Sequence, residues 1–414
     1  MSIRANYRHT QYACYLGYIT QAIVNNLAPL LFVIFQQAFA ISLEKITLLV
    51  TGNFCLQLLV DLIAARFVDK IGYRPCVVAA HLFAAAGLIG MGTFPRLFPD
   101  PYAGLMLAVG LYAIGGGLIE VLISPIVEAC PTENKASVMS LLHSFYCWGT
   151  VGVILLSTLF LQAAGRDSWS LLALLWAILP LCNAVYFTQV PIAPLTQEGE
   201  SLPLGKLFSM KLFWVFALLM VAAGACEQAM SQWASAFAES GLGVSKTVGD
   251  LAGPCMFSVL MGLSRVAYAK WGGRLSLLNC EIACGLLCAG GYLLAALAPH
   301  PALALVGCGI CGVSVGILWP GTFSVASRHC PKGGTAMFAL LALAGDLGCT
   351  SGPTLVGMAS GLLGGPAEGR PAAGGGVPRP AHRRRPGLQA AFGPGGIPRP
   401  EGLRKQAPGP RAPW

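Results

Sequence analysis

The sequence predicts an all-α polytopic membrane protein, and three observations indicate this class. Apolar residues make up 55% of the 414 residues and charged residues only 10%, whereas a soluble domain has about 25% charged residues. The mean hydropathy is +0.67. The apolar residues form long continuous runs of the length that a helix needs to cross a bilayer, roughly 20 residues. Strands of a membrane barrel alternate in shorter segments, so we expect helices.

Eleven apolar runs are predicted to span the membrane. They lie near residues 11–35, 46–68, 76–94, 102–127, 136–162, 169–190, 212–238, 250–269, 276–298, 302–326 and 335–363. If the N-terminus is cytoplasmic, 13 Lys and Arg residues before residue 366 fall on the inside and 4 on the outside. Positively charged loops stay in the cytoplasm. We therefore predict a multi-pass protein of the cell (inner) membrane with a cytoplasmic N-terminus.

Two motifs recur at an offset of 200 residues, which predicts two related halves. The pattern K-x-G-x-R occurs at residues 70–74 and 270–274, and Cys-Pro occurs at residues 130–131 and 330–331. A parallel repeat of six helices is a common transporter architecture. Alternatively, K-x-G-x-R is only a tight turn with basic residues. On the repeat reading, we expect bundles over residues 1–190 and 212–365 and a cytoplasmic linker over residues 191–211.

The last 49 residues, 366–414, differ abruptly from the rest. This tail is rich in Gly, Pro and Arg and holds nine basic and two acidic residues, so most of the net charge lies here and nucleic-acid binding by the body is not indicated. Its proline content prevents a spanning helix, and the expected twelfth helix is therefore missing. The tail is predicted to be a genuine disordered extension, or the product of a reading-frame change that removed the last span. A further apolar run in another frame of the coding DNA would favour the second explanation.

Acidic residues inside predicted spans are candidates for function because a charge deep in lipid costs about 2.5 kcal/mol or more. Glu120 lies mid-helix among glycines, where burial favours the neutral carboxyl form, and we expect it to carry a proton. His143 is a candidate for the same path, although a lone histidine often only packs. Asp61, nearer the cytoplasmic end, is expected to form a gating ion pair. The alternative for Glu120 is a neutral acid hydrogen-bonded to another helix.

Amides and acids at helical spacing predict a polar cavity. Polar residues one turn apart share a helix face, and an aromatic ring beside them suits the apolar face of a sugar. Polar contact between helices is the alternative reading. The predicted substrate-binding residues are Gln21, Asn25, Asn26, Asn53, Gln57, Glu227, Gln228, Gln232, Trp233 and Asp346.

The segment from Ala65 to Arg74, A-x-x-x-D-K-x-G-Y-R, resembles the signature between helices two and three of the major facilitator superfamily. The resemblance implies the fold of two six-helix bundles, here with the last helix apparently missing. It also implies a cytoplasmic charge network that changes between inward-open and outward-open states. The residues that would form this gating network are Asp69, Lys70, Arg74, Arg265, Lys270 and Arg274.

Three further segments are similar to the fucose permease-like branch of sugar–proton symporters. They are G-G-G-L-I-E-V-L-I-S-P at residues 115–125, S-L-L-H-S-F-Y-C-W-G at residues 140–149 and G-A-C-E-Q-A-M-S-Q-W at residues 224–233. The branch carries an acid in the first helix, where this chain has Gln21, Asn25 and Asn26. The resemblance implies symport of a sugar with protons, and the departure leaves the solute and the stoichiometry open.

Together these features predict a secondary active transporter that moves a small polar solute, such as a sugar, by alternating access and with protons. We expect a monomer in the lipid bilayer without cofactor, metal or nucleic acid. An intramembrane enzyme is not indicated, since the spans contain no H-E-x-x-H, G-x-S-x-G or paired aspartates. The alternatives are a drug or metabolite efflux carrier of the same superfamily, a transporter-like sensor, or an inactive truncated remnant.

Overall fold

The computed structural model describes residues 3–193, 195, 202–236, 251–298 and 300–364, and within them every regular element is a helix. This confirms the predicted all-α class. The helices of the N-terminal half are α1 (Tyr7–Phe39), α2 (Leu43–Ile71), α3 (Tyr73–Leu97), α4 (Pro101–Ala129), α5 (Lys135–Ala164) and α6 (Trp169–Gln189). Those that follow are the short α7 (Leu204–Ser209) and, in the C-terminal half, α8 (Lys211–Ala236), α9 (Met256–Trp271), α10 (Leu277–Leu297), α11 (Pro301–His329) and α12 (Gly334–Gly364).

Each of the eleven predicted spans overlaps one of the long helices. Among the described residues, eight helices are long and apolar enough to cross a membrane, namely α3, α4, α5, α6, α8, α10, α11 and α12. The count of eleven spans is therefore not confirmed. The described part of α9 has only 16 residues, and α1 and α2 carry polar side chains that lower their hydropathy. The predicted tail of residues 366–414 lies outside the described residues.

Local sequence signals explain where helices begin and end. Asp100 caps α4 by accepting a hydrogen bond from the Tyr102 backbone N–H at 3.0 Å, and Pro101 occupies the first turn, where no N–H is needed. Gly72 separates α2 from α3 with a φ of 95°, a conformation that glycine adopts without strain. The K-x-G-x-R pattern at residues 70–74 is thus a tight turn between two helices.

The same packing pattern occurs in both halves. In the N-terminal half α1 packs against α5, α2 against α4, and α3 against α4. In the C-terminal half α8 packs against α12, α9 against α11, and α10 against α11. Between the halves, α5 contacts α9 and α2 contacts α12. These two contacts are equivalent if α8–α12 repeat α1–α5, as the 200-residue offset predicts.

Glycines let α8 and α12 approach closely. A Cβ atom added at Gly348 would overlap the backbone carbonyl of Val221, and one added at Gly224 would overlap the carbonyl of Gly345. Small residues at helix contacts are the usual means of close packing in membranes. In contrast, Gly290 in α10 has nothing within 4 Å of an added Cβ.

We expect Gly348→Ala to destabilise the protein by about 1–3 kcal/mol, because α8 must move away from α12. The matched variant Gly290→Ala adds a methyl group in open space and is expected to leave stability unchanged or to raise it by roughly 0.5–1 kcal/mol through helix propensity. Thermal unfolding in detergent measures both. Equal melting temperatures for the two variants would contradict the close contact.

Candidate functional site

A cavity of 380 Å³ lies between the two halves, within the range of about 300–1,000 Å³ typical of small-molecule sites. Its walls come from α1, α2, α4 and α5 on one side and from α8, α9, α11 and α12 on the other. The predicted proton-coupling and substrate-binding residues that line it are Gln21, Asn25, Asn26, Asn53, Gln57, Glu120, His143, Glu227, Gln228 and Asp346. The side chains of Gln232 and Trp233, which were also predicted, lie outside the described part of the chain.

Amide side chains from α1 and α2 form a hydrogen-bonded row on the cavity wall that the N-terminal half provides. The Gln57 amide N–H donates to Asn25 Oδ1 at 3.1 Å and to Asn53 Oδ1 at 3.0 Å. The Gln21 Nε2 lies 3.4 Å from Gln57 Oε1 and donates to Glu120 Oε2 at 3.1 Å. The row places the Glu120 carboxyl at the end of a chain of groups that can donate to and accept from a polar solute.

The glycines before Glu120 bring three helices together around it. Cβ atoms added at Gly116 and Gly117 would lie 3.0 Å from the side chains of Val24 in α1 and Val60 in α2. These glycines therefore allow α4 to pack closely against α1 and α2. Glu120 itself is half-buried, which keeps its carboxyl at the cavity wall.

His143 lies on the α5 wall in a buried polar network. The Tyr18 hydroxyl is 2.9 Å from Ser124 Oγ and 3.3 Å from His143 Nε2. The Asn26 amide also reaches α5, where it donates to Thr150 Oγ1 at 3.3 Å. Neither Tyr18 nor Ser124 is among the residues predicted from the sequence.

Arg265 forms a buried ion pair in the cavity. Its side chain is 3% exposed, and its guanidinium donates to Glu227 Oε2 at 3.2 Å. It also donates to the backbone carbonyls of Gly316 at 2.9 Å and His143 at 3.1 Å, and to Cys147 Sγ at 3.0 Å. One guanidinium therefore connects α9 to α5, α8 and α11, and so joins the two halves.

This placement differs from the expected grouping of Arg265 with the cytoplasmic bases Lys270 and Arg274. Those two residues are exposed, whereas Arg265 lies inside the bundle. The reason is its position within α9, where a charge is stable only beside an opposite charge or carbonyl groups. The signal available in the sequence was the acid Glu227 in a neighbouring span.

The other predicted gating residues also lie in different environments. Asp69 and Lys70 are exposed at the end of α2. Arg74 donates to the carbonyls of Phe187 at 2.7 Å and Val190 at 2.9 Å, at the C-terminus of α6, where a positive charge is favourable. The expected ion pair of Asp61 is not observed among the described residues. Asp61 is buried and its carboxyl meets the carboxyl of Asp346.

The halves are joined at the end of the bundle where α4 ends. Ser327 Oγ in α11 donates to Glu128 Oε1 in α4 at 2.7 Å, and the hydroxyls of Tyr73 and Thr335 are hydrogen-bonded between α3 and α12. The α1 residues that line the cavity run from Tyr18 to Phe32, and none of the joining residues is among the cavity lining. Tyr73 belongs to the signature at residues 65–74, whereas Glu128, Ser327 and Thr335 carry no pattern that marks them in the sequence.

Long apolar helices around a buried polar cavity, in two halves that pack alike, define a polytopic membrane transporter. The chain belongs to the Major Facilitator Superfamily, whose sequence profile matches residues 14–353. This confirms the predicted family. It is a family of transporters rather than enzymes. No curated protein is similar enough in sequence to match the chain.

Solved transporters of the superfamily share the fold. A structure of the transporter FucP in the outward conformation aligns with a TM-score of 0.74 at 16% identity, over 85% of this chain and 92% of that chain. A variant of the E. coli fucose:proton symporter FucP aligns with a TM-score of 0.73 at 15% identity over the same shares. The proton:xylose symporter XylE, bound to 6-bromo-6-deoxy-D-glucose, aligns with a TM-score of 0.74 at 13% identity, over 85% of this chain and 88% of that chain.

Proposed function

We propose that this transporter moves a small polar solute, such as a sugar, together with protons, and that Glu120 carries a proton. The observation on which this depends most is the hydrogen bond of 3.1 Å between Gln21 and Glu120 at the wall of the cavity. A solute that binds the row of amides competes with Glu120 for the Gln21 amide N–H donor. Protonation of Glu120 and solute binding are thereby coupled at one point.

The polar groups of the cavity support a hydroxylated solute. Amides donate and accept, as sugar hydroxyls require, and Glu227 and Arg265 add charged groups on the opposite wall. Trp319 from α11 lines the cavity and offers an aromatic surface for an apolar sugar face. Structural relatives described as fucose:proton and proton:xylose symporters favour the same solute class.

We also propose a proton path, a cytoplasmic charge network and an arrangement of the chain in the membrane. His143, with Tyr18 and Ser124, is proposed to relay protons. We propose an exposed charge network of Asp69, Lys70, Arg74, Lys270 and Arg274 at the cytoplasmic ends. The chain is proposed to be a monomer of the cell (inner) membrane with a cytoplasmic N-terminus and bundles over residues 1–190 and 212–365.

Uptake by reconstituted protein tests the proposal. The purified chain is placed in liposomes with an imposed inward proton gradient, and accumulation of labelled sugars, amino acids and drugs is measured. We expect accumulation of one class of small polar solute that collapses when a protonophore removes the gradient. Proton-driven transport of apolar drugs in the opposite direction would instead favour the efflux carrier, and no transport of any compound would favour the sensor or the inactive remnant.

We expect Trp319→Ala to raise the KM for the transported solute about tenfold, the loss of roughly 1.4 kcal/mol of stacking. Trp319→Phe retains an aromatic face and is expected to recover most of the affinity. Trp214→Ala, which changes a residue that is 56% exposed, is the matched control and leaves KM unchanged. Equal KM values for Trp319→Ala and the wild type would exclude the aromatic platform.

A further inference from the structure

An unusual contact between acids joins α2 to α12. Asp61 is 0% exposed, and among the described residues neither of its carboxyl oxygens receives a hydrogen bond from an N–H or hydroxyl donor. Where α2 packs against α12, the side chain that faces Asp61 is the carboxyl of Asp346. Buried polar atoms are almost always hydrogen-bonded, so this contact requires an explanation.

The charged surroundings do not supply a positive partner. The titratable groups that act on Asp61 are Glu120 from α4 and Asp346 from α12, and no charged group in the described parts of α1 or α3 acts on it. Arg265, a base in the cavity lining, is bonded to Glu227 and to backbone carbonyls.

Two carboxylates cannot hydrogen-bond each other, because each offers only acceptors. A buried pair of facing carboxyls is stable when one proton lies between them, as happens where two acids occupy one site. Asp346 lines the cavity, whereas Asp61 is 0% exposed and is not among the lining residues, so a proton from cavity water reaches the pair through Asp346. The contact spans 285 residues of sequence, one acid from each half.

We propose that Asp61 and Asp346 form a second proton-binding site, in which a shared proton joins α2 to α12 and returns to water when the two halves separate. The pair is distinct from Glu120, which accepts a hydrogen bond from Gln21. The inference rests on the proposed function for its role in transport, although the shared proton itself does not. The proton forms and breaks hydrogen bonds only, so no other reactant is needed.

Infrared spectroscopy of the full chain in liposomes tests the shared proton without any solute. Absorption by protonated carboxyl groups is recorded at neutral pH with isotope-labelled aspartate, which separates aspartate from Glu120. The wild type is expected to show protonated aspartate. Asp61→Asn and Asp346→Asn should each lose that absorption, since the amide N–H replaces the proton as donor, and the double variant should lose no more than either single variant.

Two results would contradict the shared proton. One is a wild-type spectrum without protonated aspartate, and the other is a loss of absorption in the double variant equal to the sum of the losses in the single variants, which indicates independent groups.

Glu281→Gln, at a buried acid of α10 outside the cavity lining, is the control and leaves the aspartate absorption unchanged. Transport provides the second readout, with a proton-to-solute ratio one lower in Asp61→Asn than in the wild type. An unchanged ratio contradicts the coupling role. If the protein shows protonated aspartate but transports no solute, the proposed function is wrong and the proposed proton-binding site is still supported.

Discussion

Glu120→Gln is expected to abolish accumulation driven by a proton gradient while exchange of solute across the membrane continues. The amide has the size of the carboxyl group and keeps a polar atom beside Gln21, which is 3.1 Å away. It cannot take up or release a proton, so solute movement is no longer tied to proton movement. The measurement is uptake against a concentration gradient, compared with counterflow exchange in the same liposomes.

Glu281→Gln provides the matched control for this experiment. Glu281 is also a buried acid, 9% exposed, and it contacts Thr322 at 3.5 Å outside the residues that line the cavity. We expect this variant to accumulate solute as the wild type does. Full accumulation by Glu120→Gln would exclude the proposed proton carrier, and loss of accumulation in both variants would show that buried acids matter only for folding.

Arg265→Ala is expected to destabilise the protein by about 3–5 kcal/mol, the usual cost of removing one partner of a buried ion pair. The variant leaves the Glu227 carboxylate without its 3.2 Å partner and removes the bonds to two backbone carbonyls. Because these bonds reach both halves, we also expect solute binding to be lost. Thermal unfolding in detergent and equilibrium binding of the transported solute measure the two effects.

A double-mutant cycle separates the ion pair from the carbonyl contacts. Glu227→Gln combined with Arg265→Ala removes the stranded charge, so the double variant should be more stable than the sum of the single changes predicts. Arg274→Ala, at an exposed base beyond the end of the same helix, should change stability by less than about 0.5 kcal/mol. If Arg265→Ala and Arg274→Ala melt alike, Arg265 does not join the halves.

Glu120 and Arg265 differ in how much of their role is encoded in their own segments of sequence. Glu120 was identified because a carboxyl in an apolar run is costly on its own, whatever surrounds it. Arg265 was grouped with Lys270 and Arg274, because the resemblance implied a common cytoplasmic network. The structure instead pairs Arg265 with Glu227, 38 residues away. The cost of a buried charge follows from one segment, whereas its partner depends on how helices rotate and pack.

The amino-acid sequence by itself was enough to predict the helical class, the position of nearly every long helix, the superfamily and most of the residue types in the cavity. These properties depend on hydropathy and spacing within single segments of about 20 residues. Only the tertiary structure decided which polar groups meet, including Tyr18 with His143, Ser327 with Glu128, and Asp61 with Asp346. Such contacts join side chains from different helices, and their formation is set by the close packing that glycines allow between those helices.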